Sequence, residues 1–289
     1  MTSSDFVEPA ATRPVEEPLV SVIMSVFNSA ETLREAVESI YAQTYANWEL
    51  IVCDDASTDN TLTLLHQLAS EGPAGRVVII SNSENMRLAY SLNRCLETAS
   101  GDLIARMDGD DISEPDRLER QVEYLLEHPK VDMVGCAMRR FSASGLAEVL
   151  QPASYEPARD FMRQSGRAAF FHATIVARRS AYDRVGGYTV AWRTQRGQDA
   201  DLWYKFFAAG LVGHNLADPL YRVREDTAAR RRRTPRVRFA GFLTHIKGAH
   251  ALGYPPSAYL RATARLSKAL VPYTLIDRYA ARKAGKALP

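Results

Sequence analysis

Cysteine is scarce in this chain: only Cys53, Cys95 and Cys136 occur among 289 residues. Three thiols cannot all pair, and their spacing is not that of a metal cluster. This excludes a disulfide framework and points to buried free thiols in a reducing compartment. Long apolar runs are missing too. No run of 18 apolar residues occurs, so no transmembrane anchor is expected, and residues 1–17 lack a signal-peptide core and read as a flexible leader. Internal repeats and extended low-complexity tracts are absent, which excludes solenoids. The hydrophobic share of 46% is ordinary, and the length suits one elaborated domain with a large core plus a tail.

A strong overall charge is lacking as well, but the net +2 conceals an asymmetry. Residues 222–289 carry 16 Lys/Arg against 3 Asp/Glu, whereas the preceding part carries 20 against 31. The acidic first part, with no nucleic-acid module, argues against a nucleic-acid partner for the Arg230 to Arg238 region. In the basic part, Phe239, Phe242, Leu243 and Ile246 recur at helical spacing, and a second helix is expected from Ser257 to Leu270. Such an extension, residues 234–289, either lies on an anionic membrane or packs its apolar stripe on the preceding domain, and the pattern supports both.

What is present in the first half is alternation. Leu19 to Phe27 is a nearly unbroken apolar run of strand length, followed by a helical pattern at Leu33, Val37, Ile40 and Tyr41 that Asn28 or Ser29 is placed to cap. Strands are also predicted at Trp48–Cys53, Val77–Ser81 and Asp102–Met107, with helices behind Asp59 and from Leu88 to Ala99. This pattern predicts an α/β domain with a doubly wound sheet, whose ligands sit beyond the carboxyl ends of the strands. Two acidic clusters, Asp54/Asp55 and Asp108/Asp110, fall at that edge. Asp108 and Asp110, two apart in extended chain, share one target, and Gly109 between them lets a bulky ligand approach the backbone. Hard carboxylate oxygens suit Mg²⁺ or Mn²⁺ together with substrate phosphates. An acidic turn opening the helix at Glu114-Pro115-Asp116 is the structural alternative.

Several segments together carry a resemblance: Val20 to Asn28, Gln43-Thr44-Tyr45, Asp54-Asp55-Ala-Ser-Thr-Asp59, Gly101 to Asp111, Pro115 to Leu118 and Gln121. His172-Ala-Thr174, Gly186-Gly-Tyr188, Gln198-Asp-Ala-Asp-Leu-Trp203 and Tyr221-Arg-Val-Arg224 continue it in order. The chain resembles the inverting, metal-dependent glycosyltransferases of family 2, which have the GT-A fold. The resemblance covers roughly Val20 to Arg233 and implies a glycosyltransferase domain at residues 18–233.

It further implies transfer of a sugar from a nucleotide-sugar donor, a UDP-sugar being expected, to a glycan or lipid-linked hydroxyl acceptor in cell-surface polysaccharide or glycolipid synthesis. The expected location is cytoplasmic, with peripheral contact at the inner face of the plasma membrane. Carried over residue by residue, Phe27, Asn28, Asp55, Arg87, Asp108, Arg222 and Arg224 contact the donor, Asp110 with Asp108 holds Mg²⁺ or Mn²⁺, and Asp199 is the general base. The Arg230 to Arg233 run joins Arg222 and Arg224 over the diphosphate. His172 and Trp192 stand on the acceptor side. Asp201 is expected to serve the helix that follows, and Gly186-Gly187 a turn that a side chain would obstruct. Arg87 departs from the family pattern by replacing a small residue, and Gln198 by replacing a Glu. A nucleotidyltransferase would carry a Gly-rich basic loop where Phe27-Asn28-Ser29-Ala30 stands. A catalytically silent sugar-nucleotide sensor remains a further alternative.

Overall fold

The structure, a computed structural model, describes residues 17–142, 145–152, 159, 162, 168–225 and 234–267. Its first half follows the predicted alternation. Strands β1 (Val20–Val26), β2 (Trp48–Asp54), β3 (Val77–Ser81) and β4 (Leu103–Asp108) pair in parallel in the order β3-β2-β1-β4. They alternate with helices α1 (Leu33–Tyr41), α2 (Thr61–Glu71) and α3 (Leu88–Thr98). Burial on both faces explains the unbroken apolar run of β1: Ile23 packs into one core layer, Val22 and Met24 into the other. Helix α1 begins later than expected. The carbonyl of Ser29 accepts from the N–H groups of Thr32 and Leu33, so residues 29–32 form a turn and Thr32 takes the cap position.

The second half departs from a doubly wound parallel sheet. Beyond β4 the sheet continues through β8 (Val176–Arg178), β6 (Met133–Ser142), β9 (Gly213–Arg224) and the two-residue β5 (Ile112–Ser113), with β7 (Gly145–Leu150) on β6. β4 with β8, β8 with β6 and β9 with β5 are antiparallel, whereas β6 with β9 is parallel. The result is a mixed sheet with helices against both faces. α4 (Arg117–Glu127) follows the acidic turn, and α5 (Arg179–Val185) ends in Gly186 and Gly187, both at positive φ. A β-carbon on Gly187 would stand 2.7 Å from Asn93 Oδ1, as the expected obstructed turn requires.

Three further helices follow: α6 (Gln198–Ala208) and, after the Arg230 to Arg233 run, which lies outside the described residues, α7 (Pro235–Ala251) and α8 (Pro256–Ser267). α7 packs on α6, but through a face other than the Phe239, Phe242, Leu243 and Ile246 stripe, for which packing is one of two expectations. Its buried residues are Ala240, Thr244, Gly248 and Ala249, whereas Phe239 is exposed and Phe242, Leu243 and Ile246 are half-buried. Small residues win the interface because they let the helix approach closely: a β-carbon at Gly248 would lie 2.0 Å from the Tyr204 ring. Tyr204 bonds His245 at 2.6 Å across the same contact. The described helix from Pro256 to Ser267 overlaps the expected Ser257 to Leu270. No described helix is long and apolar enough to cross a membrane.

Candidate active site

Parallel pairing brings Val26, Asp54 and Asp108 to one edge of the sheet, with Ser25 in register with Asp108. Beyond that edge lies a cleft of about 590 Å³, with Ser25 and Val26 on its wall. Phe27, Asp55 and Arg87 also line it from the strand side, and Trp192, Gln198 and Asp199 from the side of α6.

Asp55 is buried and accepts from Asn82 Nδ2 at 2.6 Å and from the backbone N–H groups of Met86 and Arg87, each at 2.8 Å. It therefore anchors the β3–α3 loop. A carboxylate has about four lone-pair sites, so a ligand contact remains open beside these three bonds. The loop it anchors holds Arg87 at φ 74° and ψ 163°, a region that glycine alone occupies without strain. The small residue of the family pattern suits that backbone, so Arg87 occupies it at a cost. The exposed Arg87 guanidinium lines the cleft. Asn28 does not line it: at φ 51° it accepts from Thr58 N–H at 2.8 Å while its own N–H donates to Ser57 Oγ, knitting β1 to the loop after β2.

The carboxylates of Asp108, Asp110 and Asp111 gather within 4.8 Å of one another. Burial, with the Asp108 charge added, raises the Asp110 carboxyl above its ordinary range. The same causes, joined by Asp110, push the buried Asp111 up to about 8. Crowded, partly desolvated hard oxygens fit a divalent cation, which removes the repulsion that raises them. Asp111 is the least available, because its Oδ1 accepts from Arg224 N–H at 2.8 Å. Gly109 serves packing rather than ligand approach: a β-carbon there would stand 2.5 Å from Val26 Cγ1. Thr32 Oγ1 donates to its carbonyl, and Tyr221 Oη accepts from Asp108 N–H at 3.1 Å.

The two arginines of β9 correct the sequence expectation. Arg222 makes a bidentate pair with Glu114 at 2.6 and 2.7 Å, and Arg224 bonds the Asp110 carbonyl and Glu35 while lying 4.5 Å from the Phe141 ring centroid. Both brace the acidic loop, and neither lines the cleft. Among the described residues, the cations that do line it are Arg87, Arg196 and Arg236. The last two were missed: Arg196 stands in a turn with no motif of its own, and nothing local marks a helix starting at Pro235 as a wall of a cleft whose other wall is residues 25–88.

Asp199 sits in the first turn of α6, half-buried on the cleft wall. Burial raises its carboxyl above the ordinary range, opposed by backbone N–H groups at its own helix start. Asp201 takes the structural role expected of it, buried and paired with Arg193. His172 lies off the cleft, its Nε2 bonded to Tyr188 Oη at 2.8 Å and its ring edge-on to Trp203. That is a packing arrangement, and burial lowers its pKa well below the imidazole value. Trp192, 47% exposed, does line the cleft.

With this geometry in place, the profile of glycosyl transferase family 2 matches residues 21–186. The chain belongs to that family. This glycosyltransferase is 43% identical over 264 residues, 91% of its own length and 93% of the other, to the putative glycosyltransferase EpsE of Bacillus subtilis strain 168. A shorter match, 37% over 114 residues, covers 39% of this chain and 44% of the Escherichia coli UDP-Glc:alpha-D-GlcNAc-diphosphoundecaprenol beta-1,3-glucosyltransferase WfgD. Among solved structures, the Pyrobaculum calidifontis mannosyltransferase PcManGT, in complex with GDP-Man and Mn²⁺, superposes with a TM-score of 0.65 at 23% identity, over 95% of this chain and 82% of that one. Staphylococcus aureus TarS 1-349 in complex with UDP-GlcNAc gives 0.65 at 16% identity, over 87% and 71%. The mixed sheet of this glycosyltransferase is thus the GT-A fold.

Proposed function

We propose that the enzyme transfers a sugar, with inversion, from a UDP-sugar to a hydroxyl of a glycan or lipid-linked acceptor in polysaccharide synthesis. The observation that carries this reading is Asp199, a carboxylate with raised pKa on the cleft wall opposite Asp55 and Arg87. A base on one wall and nucleotide-type contacts on the other leave the sugar between them, so that attack comes from the face opposite the leaving group. UDP-GlcNAc in TarS and the donor named for WfgD support a uridine nucleotide; GDP-Man in PcManGT makes guanosine the comparison. The WfgD name also supports a diphosphate-linked lipid acceptor.

Asp108 and Asp110 would hold Mg²⁺ or Mn²⁺, which neutralises the charge that develops on the departing diphosphate. Arg87, Arg196 and Arg236 add positive charge from the protein. Phe27 offers a flat apolar surface on the donor side and Trp192 one on the acceptor side. Asp199 accepts the proton of the attacking hydroxyl. The outward stripe of α7, with the basic residues of the extension, gives the enzyme a surface for peripheral contact with an anionic membrane next to a lipid-linked acceptor.

The test is turnover of UDP- and GDP-sugars with lipid-diphosphate glycan acceptors, with and without Mn²⁺, and the anomeric configuration of the product read by NMR. A product of inverted configuration with release of nucleoside diphosphate is expected. Formation of nucleoside triphosphate and sugar 1-phosphate when pyrophosphate is added would identify a nucleotidyltransferase, and tight binding without turnover a sensor.

A further inference from the structure

Arg106 stands in the middle of β4, where two-residue alternation turns Ile104, Arg106 and Asp108 toward the layer that contains Tyr182, Tyr188 and Trp203. Its side chain is 2% exposed. Only Nη2 finds a partner, Asp108 Oδ1, while Nε and Nη1 are buried without one. Arg117, equally buried, differs: its Nε donates to Gln121, its Nη2 to the Arg106 carbonyl, and it stacks 5.0 Å from the Tyr221 centroid. Arg117 ties elements together. Arg106 ties nothing but the carboxylate at the end of its own strand.

A buried guanidinium with two unpaired donor atoms destabilises a fold, so packing does not account for it. The Arg106 charge also reaches Asp110 and Asp199 through space, which makes it a shared counter-ion of the acidic loop and the base. We propose that Arg106 is a positioning residue that holds the Asp108 carboxylate in the orientation needed to meet the divalent cation of the bound nucleotide. The inference rests on the reading of Asp108 and Asp110 as the metal site. Partners behind a metal ligand typically contribute about 10- to 100-fold in metal affinity. Removing one member of a buried ion pair is costly when it strands the other as a buried charge, but the Asp108 carboxylate reaches solvent, so an apolar side chain in place of Arg106 leaves no buried charge unpaired.

Stability and binding therefore move in different directions. Thermal melting of Arg106→Met without ligand is expected at or above the wild-type temperature. Calorimetry with UDP or GDP and Mn²⁺ is expected to show metal-dependent affinity lower by about 10- to 100-fold, with metal-free nucleotide binding unmoved. Arg106→Lys, which keeps the charge but loses the planar fork, should fall between. In an Asp108→Asn background, Arg106→Met should add no further loss, because its effect passes through Asp108. Wild-type metal affinity in the folded Met variant, full affinity in the Lys variant, additive losses in the double variant, or melting of the Met variant well below wild type would each overturn the proposal. Absence of any metal-dependent nucleotide binding by the wild type would overturn the metal reading itself, and this inference with it.

Discussion

The two walls of the cleft are built by different means. The strand-side wall comes from residues 25–88, where consecutive parallel strands deliver Phe27 and Asp55 to the sheet edge at which the acidic loop also begins. The helix-side wall gathers Trp192, Asp199 and Arg236 from a short turn, a helix start and a helix beyond the matched family span. The first wall is fixed by sheet geometry that the family shares. The second depends on long-range packing.

The sharpest way to break this comparison is to remove the base alone. Asp199→Asn is expected to slow transfer by roughly two to four orders of magnitude while nucleotide binding persists. Because the folded carboxyl is raised by burial, its contribution to stability is present below the unfolded pKa and lost as pH rises through the folded one. The Asn variant should therefore melt higher than wild type at neutral pH, and the acid limb of the wild-type kcat profile should lie above the ordinary aspartate range. Wild-type turnover in this variant would move the base elsewhere. At the acidic loop, Asp110→Asn should weaken Mn²⁺-dependent UDP binding by more than about 100-fold, beyond what a partner behind a ligand contributes. Calorimetry that finds unchanged metal dependence rejects Asp110 as a ligand.

Smaller effects sharpen the contrast. Gly248→Ala forces a methyl into the Tyr204 ring and should cost about 1–3 kcal/mol of stability, seen in denaturant melts; an unchanged midpoint would mean that α7 does not pack where it is placed. Arg87→Gly relieves the backbone and should stabilise by about 1 kcal/mol after the entropy of glycine is set against the strain, while UDP affinity falls. Loss of stability there would show that the loop tolerates arginine without strain. The least effect is expected from lipid: flotation with anionic vesicles should be weak and should vanish at high salt, and a protein that never floats has no electrostatic docking surface.

Legibility followed the same division. Every strand of the first wall could be read from apolar runs, and Asp108, Asp110 and Asp55 from their place at strand ends, because each signal lies within a few residues. The three-residue β8 could not, since it is a strand only between β4 and β6. Arg222 and Arg224 were misread for a related reason. Their charge is visible in sequence, but the partners that engage them, Glu114, Glu35 and the Asp110 carbonyl, stand more than a hundred residues earlier. The buried face of α7 was hidden because glycine and alanine carry no apolar stripe, although they permit the closest approach.

The pairing of β5 with β9 also sets an order of events during synthesis. Asp108 and Asp111 leave the ribosome long before Tyr221 and Arg224, the residues that fasten their loop. A nascent chain released as far as Val185 already owns β1 to β8, yet it has neither the brace of the acidic loop nor Asp199. The acidic loop is thus fastened only after the sheet edge that carries it has been made, by residues that arrive together with the second wall of the cleft.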